Sequence, residues 1–285
     1  MDSAIDLSTL SIKNILRDHD IRLKKSLGQN FLSDDHILKK IVQAAGLTKD
    51  LTVLEIGPGI GSLTRHIAVQ AKEVFAVELD AQLFPALQEV LAPFDNVHLI
   101  HDDILKVDLP SVIEDKPYMI IANIPYYITS AVIRRCLETS SKPQKMILTI
   151  QKEVARRICQ KPGDLSLLAL SVQVYGSPQI LFDISAGAFF PSPNVDSTVL
   201  RVDLYDEPLI PLTEIETFFK WTKAGFQQKR KKLRNSLASG LHMSTQEVEA
   251  IFNAANLDPH RRAETLSIEE WYRLMQVRKN KKAVE

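Results

Sequence analysis

The chain has 285 residues, 45% hydrophobic and 25% charged, with 35 basic and 35 acidic side chains. That is a globular composition, long enough for one large domain and a small one, and its zero net charge supplies no global attraction to nucleic acid. No apolar run reaches the ~18–20 residues of a membrane span, and an N-terminus carrying Asp2, Asp6, Asp18 and Asp20 is neither a signal nor a transit peptide, so a cytoplasmic protein is expected.

In chain order, residues 8–17 and 34–45 read as helices flanking the segment 24–32. The short apolar runs 52–56, 74–78, 97–101, 118–122 and 145–150 have the character of buried parallel strands. Helix-length segments 61–71, 81–91 and 129–137 separate them, a doubly wound α/β pattern. Runs 178–184 and 197–205 predict two more strands, joined by an irregular loop without a helix and therefore antiparallel. Five parallel strands plus such a pair make the seven-stranded, Rossmann-like sheet of many methyltransferases. Composition shifts near Asp206-Glu207-Pro208. Beyond it lie helix-like segments 211–224, 229–241, 245–255 and 268–277. Ser244 with Glu247 and Ser267 with Glu270 have capping-box spacing. The expected domains are 1–207 and a small helical domain, 208–285.

The run 53–61 is a strand followed by Gly57-Pro58-Gly59-Ile60-Gly61, a G-x-G-x-G turn that brings backbone close to a ligand. About twenty residues on, Glu78 ends the next strand, where a carboxylate accepts both hydroxyls of a ribose. These features alone do not separate NAD from S-adenosylmethionine. Glu55 favours the latter, since its charge lies near a cationic sulfonium, and Pro58 departs from the dinucleotide fingerprint. After the third strand, Asp103, with Asp102 as the alternative, is placed to accept from a cofactor adenine, although an Asp after a strand is often only a turn residue.

Asn123-Ile124-Pro125-Tyr126 follows the fourth strand, at the sheet edge where open α/β proteins place their chemistry. An Asn amide, carbonyls held by a Pro and a following aromatic suit a planar amine such as adenine. His66, His98 and His101 read as core or strand-end residues. Cys136 and Cys159, without a CxxC, read as reduced thiols, with no metal site. Local basic clusters interrupt the neutral charge: Lys24-Lys25, Lys229-Arg230-Lys231-Lys232 with Arg234, and Arg261-Arg262. Each is either a solvated helix face or part of an RNA-tracking surface.

Five stretches together resemble the ribosomal RNA adenine N6,N6-dimethyltransferases of the small-subunit type: 25–32 (KSLGQNFL), 55–59 (EIGPG), 123–126 (NIPY), 189–197 (FFPSPNVDS) and 258–266 (DPHRRAETL). They span nearly the whole chain. Asn194 stands where the family commonly has Lys, and Tyr127 where it often has Asn. The resemblance implies a class I methyltransferase sheet with a C-terminal helical RNA-binding domain. It implies that Gln29, Asn30, Leu32, Glu55, Gly57, Gly59, Glu78, Asp103 and Asn123 surround S-adenosylmethionine. Asn123 and the carbonyls near Ile124 and Pro125 would receive the target amine, with Tyr126 and Phe189, or Phe190 instead of Phe189, stacking on the base. The substrate implied is a pair of adjacent adenines near the 3′ end of small-subunit rRNA, in a pre-assembled 30S particle, and the enzyme a monomer. The related large-subunit methyltransferases of the macrolide-resistance type share the tetrapeptide; 189–197 and 261–266 favour the small-subunit type. An intact tetrapeptide and glycine loop argue against a noncatalytic RNA-binding relative.

Overall fold

The computed structural model describes residues 7, 10–114, 116–228 and 231–282, the side chains of 281 and 282 excepted. Two compact units emerge: Met1–Ala155 with Pro178–Leu204, and Arg156–Ser177 with Tyr205–Glu285. The helical unit thus takes in 156–177, a segment that the sequence reading kept with the sheet.

The first unit is built on seven strands: β1 (Thr52–Ile56), β2 (Glu73–Glu78), β3 (Val97–His101), β4 (Tyr118–Asn123), β5 (Lys145–Gln151), β6 (Gly176–Ile184) and β7 (Ser197–Leu204). Their order across the sheet is β3-β2-β1-β4-β5-β7-β6. The pairs among β1 to β5 are parallel, and β7 runs antiparallel to β5 with Lys145 opposite Asp203 and Gln151 opposite Ser197. β1 is buried at every position, as a central parallel strand covered on both faces must be. On one face Val53, Val74, Met119, Ile121 and Ile147 pack with Leu38, Ile41 and Val42 of helix Asp35–Ala45 and Leu63 and Ile67 of helix Ser62–Gln70. Asp34 caps the first of these helices, accepting from the Ile37 N–H at 3.2 Å.

The strand order reverses between β2-β1 and β4, so a crevice opens at their carboxyl ends. Over it runs residues 24–32, a short 3-10 turn Lys25–Leu27 followed by Phe31–Leu32. Phe31 and Leu32 pair antiparallel with Phe190 and Phe189. The N-terminal helix expected over 8–17 runs from Ile12 to Asp18 with Ser11 at its N-cap; residues 8 and 9 lie outside the described residues.

The helical unit contains Ile215–Phe226, Leu233–Leu241, Thr245–Ala254 and Ile268–Lys282. Its core holds Trp271, Phe218, Phe252, Leu233 and Leu237, all fully buried. Both predicted capping boxes are present: Ser244 with Glu247, and Ser267, whose N–H donates to Glu270 while its hydroxyl accepts from the Glu270 N–H. Among the described residues no helix is long and apolar enough to cross a membrane.

Candidate active site

At the carboxyl ends of β1, β2 and β4 lies a pocket open to solvent and lined by Gly57, Gly59, Glu78, Asn123 and Tyr126, where open α/β sheets bind their ligands. Gly57 leaves β1 and its N–H donates to the Val77 carbonyl at 2.9 Å, tying the loop to β2. The backbone of Gly59 has φ +64°, and a Cβ there would stand 2.8 Å from the Phe31 ring. Only glycine therefore lets residues 24–32 close over this loop. The carboxylate of Glu78 accepts from the N–H groups of Gly59 at 3.1 Å and Asp80 at 2.9 Å. Burial raises its pKa, while the N–H groups of Asp80, Gly59 and Leu79 pull it down.

Glu55 is 1% exposed. It stands outside the main pocket and lines a small side cavity with Gly57, Ser62 and Asn123. Its Oε2 has no hydrogen-bond partner among the described residues. Burial lifts its pKa to about 8, Thr64 opposing and the Glu78 charge adding to the rise. Two buried carboxyl groups thus lie behind the glycine loop.

The roof is clamped by Asp80. Its carboxylate accepts from Lys24 Nζ at 2.6 Å and Gln29 Nε2 at 2.8 Å, and Gln29 Oε1 accepts from the Lys24 N–H at 2.8 Å. Burial alone would raise the Asp80 pKa; the donors from Lys24, Gln29 and the Gln82 N–H outweigh it and hold the pKa down. Both ends of the Gln29 amide are therefore engaged within the protein, although Gln29 lines the pocket. Leu32 is buried in the core and faces the side cavity.

Asn123, at the end of β4, donates its Nδ2 to the Asn30 carbonyl at 3.0 Å. That bond fixes the amide and leaves Oδ1, an acceptor, for a ligand. The Ile124 N–H donates to Thr149 O at 3.1 Å, and the Pro125 carbonyl accepts from the Ile128 N–H and the Thr129 hydroxyl. Tyr126 is held by its hydroxyl, 2.7 Å from Ser197 Oγ. Phe189 lines the pocket, whereas Phe190 does not and lies beneath Lys13 Nζ. Asp102 and Asp103 line the far end; Asp103 Oδ1 accepts from the Leu105 N–H at 3.0 Å, so it also serves as a turn residue.

The lining of this pocket comes from six separated stretches of the chain, 27–31, 56–59, 77–83, 102–104, 123–128 and Phe189, which converge on one site with an amide acceptor opposite the glycine loop. The sequence matches the family of ribosomal RNA adenine dimethylases over residues 21–278. The chain belongs to that family. It is 44% identical over 263 residues to the ribosomal RNA small subunit methyltransferase A of Dehalococcoides mccartyi strain CBDB1, covering 92% of this chain and 90% of the relative. It is 41% identical to the protein of that name from Enterococcus faecalis, covering 95% and 96%. Among solved structures it is similar to the 23S rRNA methyltransferase ErmE, with TM-score 0.70, 29% identity and coverage of 87% and 99%. A dimethyladenosine transferase from Plasmodium falciparum shares the fold, with TM-score 0.77, 22% identity and coverage of 89% and 98%. The protein is an rRNA adenine methyltransferase, and its methyl donor is S-adenosylmethionine.

In this dimethylase the basic residues fall into two groups. Lys24 is paired with Asp80. Arg261 is bound to Glu270 at 2.6 Å and to Thr265, and Arg234 to Glu249. By contrast Lys25, Lys231, Lys232 and Arg262 are exposed or nearly so, with only a 3.3 Å contact from Lys232 to His260 and a 3.9 Å one from Arg262 to Glu264. Lys229 and Arg230 lie outside the described residues. The Lys229–Leu241 helix expected from the sequence begins only at Leu233, because Lys232 is extended at the N-cap.

Pocket residues that sequence reasoning missed include Leu27, Leu79, Leu83, Ile104 and Tyr127. Leu79 is 48% exposed and Tyr127 58%. For Leu79 the available signal was its position directly after the strand-end carboxylate of Glu78; Tyr127 lies in the 3-10 turn Tyr126–Ile128 that follows β4.

Proposed function

We propose that this enzyme dimethylates N6 of two adjacent adenines in a loop near the 3′ end of small-subunit rRNA, in the cytoplasm, as a monomer acting on a pre-assembled 30S particle. Residues 1–207 carry catalysis and 208–285 RNA binding. The observation that carries the reading is the Asn123 amide, oriented by the Asn30 carbonyl so that Oδ1 is its free acceptor.

The pocket fits S-adenosylmethionine. A Cβ built on Gly57 would meet nothing within 4 Å, so the loop leaves an open cradle. Glu78 stands in the wall to accept the ribose hydroxyls, and Leu79 and Ile104 supply apolar flanks for its adenine, with Asp103 or Asp102 accepting from the amine. Gln29, Asn30, Gly57, Gly59 and Asn123 surround the remainder, and Glu55 backs the glycine loop from the side cavity instead of facing the cofactor. When bound, the cofactor supplies an electrophilic methyl group on a sulfonium.

An adenine N6 lone pair is delocalised into the ring and is a weak nucleophile. Asn123 Oδ1 and the Ile124 carbonyl accept the two N6 hydrogens and draw the nitrogen toward a tetrahedral shape. The Pro125 carbonyl, already engaged, is the weaker candidate. Tyr126 and Phe189 hold the base by stacking, worth roughly 1–3 kcal/mol per base. The site contributes position and electrostatics and needs no strong base. A loop adenine reaches it more cheaply than a paired one. Lys25, Lys231, Lys232 and Arg262 meet phosphate, with Lys24, Lys229, Arg230, Arg234 and Arg261 as supporting cations.

The test is to map labelled methyl groups after incubation with unmethylated small subunits, large subunits and naked rRNA. Label on two adjacent adenines near the 3′ end of the small-subunit RNA is expected. Label confined to large-subunit RNA would overturn the reading in favour of the macrolide-resistance type.

A further inference from the structure

Tyr127 is the most exposed aromatic side chain among the described residues, at 58%, yet it lines the same pocket as Asn123 and Tyr126. Exposing an aromatic ring forgoes the burial that normally stabilises it. The chain nevertheless accommodates this ring. Gly28 has φ +58°, and a Cβ there would stand 3.2 Å from Tyr127 Cδ1 and 3.4 Å from Cε1. A side chain at 28 would therefore press on the ring as well as strain the backbone. One edge of Tyr127 thus rests on residues 24–32 while most of the ring faces solvent at the pocket mouth.

Three residues before Gly28, on the same turn, stands a cation. The Gly28 N–H donates to the Lys25 carbonyl at 3.1 Å, closing the turn that carries Lys25. Lys24 is drawn to Asp80. Lys25 is exposed and pairs with no carboxylate among the described residues. An open aromatic ring, resting on the turn that also carries an exposed ammonium group, supplies the two elements that bind a nucleotide of single-stranded nucleic acid: the ring stacks on the base and the cation meets the phosphate.

We propose that Tyr127 and Lys25 form a second nucleotide subsite, which takes the nucleotide flanking the target adenine. Stacking accepts any base, so the subsite recognises an unpaired neighbour rather than a particular sequence. The inference rests on the proposed function, in that the target base occupies the Asn123 pocket. Tyr126 and Tyr127 are consecutive, and their rings serve different nucleotides: the first is tethered to Ser197, the second is open to solvent.

The experiment uses small subunits reconstituted with rRNA whose 3′ segment is synthetic. In one the segment is natural; in two others an abasic nucleotide replaces the base on the 5′ or the 3′ side of the target. Methylation of the target is followed with the wild-type enzyme, Tyr127→Ala and Tyr127→Phe. On natural RNA, Tyr127→Ala should raise KM by about 5- to 150-fold with kcat held within a few-fold, and Tyr127→Phe should retain wild-type values. On one abasic RNA the wild type should show the same rise, and Tyr127→Ala should add nothing to it. Equal losses for Tyr127→Ala on all three RNAs, or no loss on any, would overturn the subsite. Lys25→Gln should reduce the log–log salt slope of binding by roughly 0.7–0.9 and Lys25→Arg should restore it; an unchanged slope overturns the phosphate half. Failure of the wild type to methylate natural subunits would instead defeat the underlying functional reading.

Discussion

The sheet unit and the helical unit use their charged residues in opposite ways. In the first, the carboxyl groups of Glu55, Glu78 and Asp80 are buried, Glu55 holding its proton, and Glu78 and Asp80 accept from backbone or side-chain donors that shape the pocket. In the second, Arg261 and Arg234 form internal ion pairs, while Lys231, Lys232 and Arg262 remain at the surface. A site that performs chemistry needs fixed groups, because only a preorganised acceptor favours the transition state over the ground state. A surface that tracks phosphates needs solvated charge, and its contacts are interchangeable. Adjacent arginines illustrate the distinction: Arg261 braces the fold, and Arg262 is available.

Substitution of Asn123 gives the sharpest break between the two regions. Asn123→Ala should lower single-turnover methylation by about 10²–10³-fold, by analogy with loss of one oxyanion-hole donor, with cofactor affinity largely kept. A near-normal rate would move the acceptor role elsewhere. Next in size, Glu78→Gln should weaken S-adenosylmethionine binding by about 10- to 100-fold, since hydrogen bonds to a charged group contribute about 1.5–3 kcal/mol. Calorimetry reads this directly, and unchanged affinity would misplace the ribose.

Glu55 tests the cost of charging a buried carboxyl group. Its folded-state pKa, about 8, lies above the ordinary 4.5, so the folded protein keeps a proton that the unfolded chain releases. Its contribution to stability is full below about pH 4.5 and is lost as pH rises toward 8, by at most about 1.4 kcal/mol per pH unit. Denaturant midpoints measured across that range should decline less steeply for Glu55→Gln than for the wild type. Identical slopes would mean that Glu55 is solvated. The smallest effects separate the arginines. Arg261→Ala should cost about 1 kcal/mol of stability through its partly buried pair. Arg262→Ala should leave the melting temperature in place and reduce the salt slope of rRNA binding by roughly 0.7–0.9.

Much of this was legible in the sequence. β1 and β3 have the bounds read from their apolar runs, and the other strands differ by one or two residues at an end. Short buried strands announce themselves by composition, and Asn123 follows from where β4 stops. Helices Lys152–Ile158 and Leu167–Gln173 were not legible. The first starts directly after β5 without a breaker, and both are only two turns long. Nor was the two-residue ladder of Phe31–Leu32 with Phe189–Phe190, which is too short to show a period. The clamp on Asp80 joins partners 56 and 51 residues away. Lys24 therefore read as a free cation, and the clamping of the Gln29 amide was not legible, because nothing local reveals a long-range pair.

The central claim is that one pocket, between the glycine loop and Asn123, holds donor and acceptor together. Its most direct test is a crystal structure of the full chain with S-adenosylhomocysteine and adenosine. The account predicts ribose hydroxyls on the Glu78 carboxylate, the cofactor adenine between Leu79 and Ile104, and the N6 of adenosine on Asn123 Oδ1. A cofactor bound elsewhere, or an adenosine amine with no contact to Asn123, would contradict it.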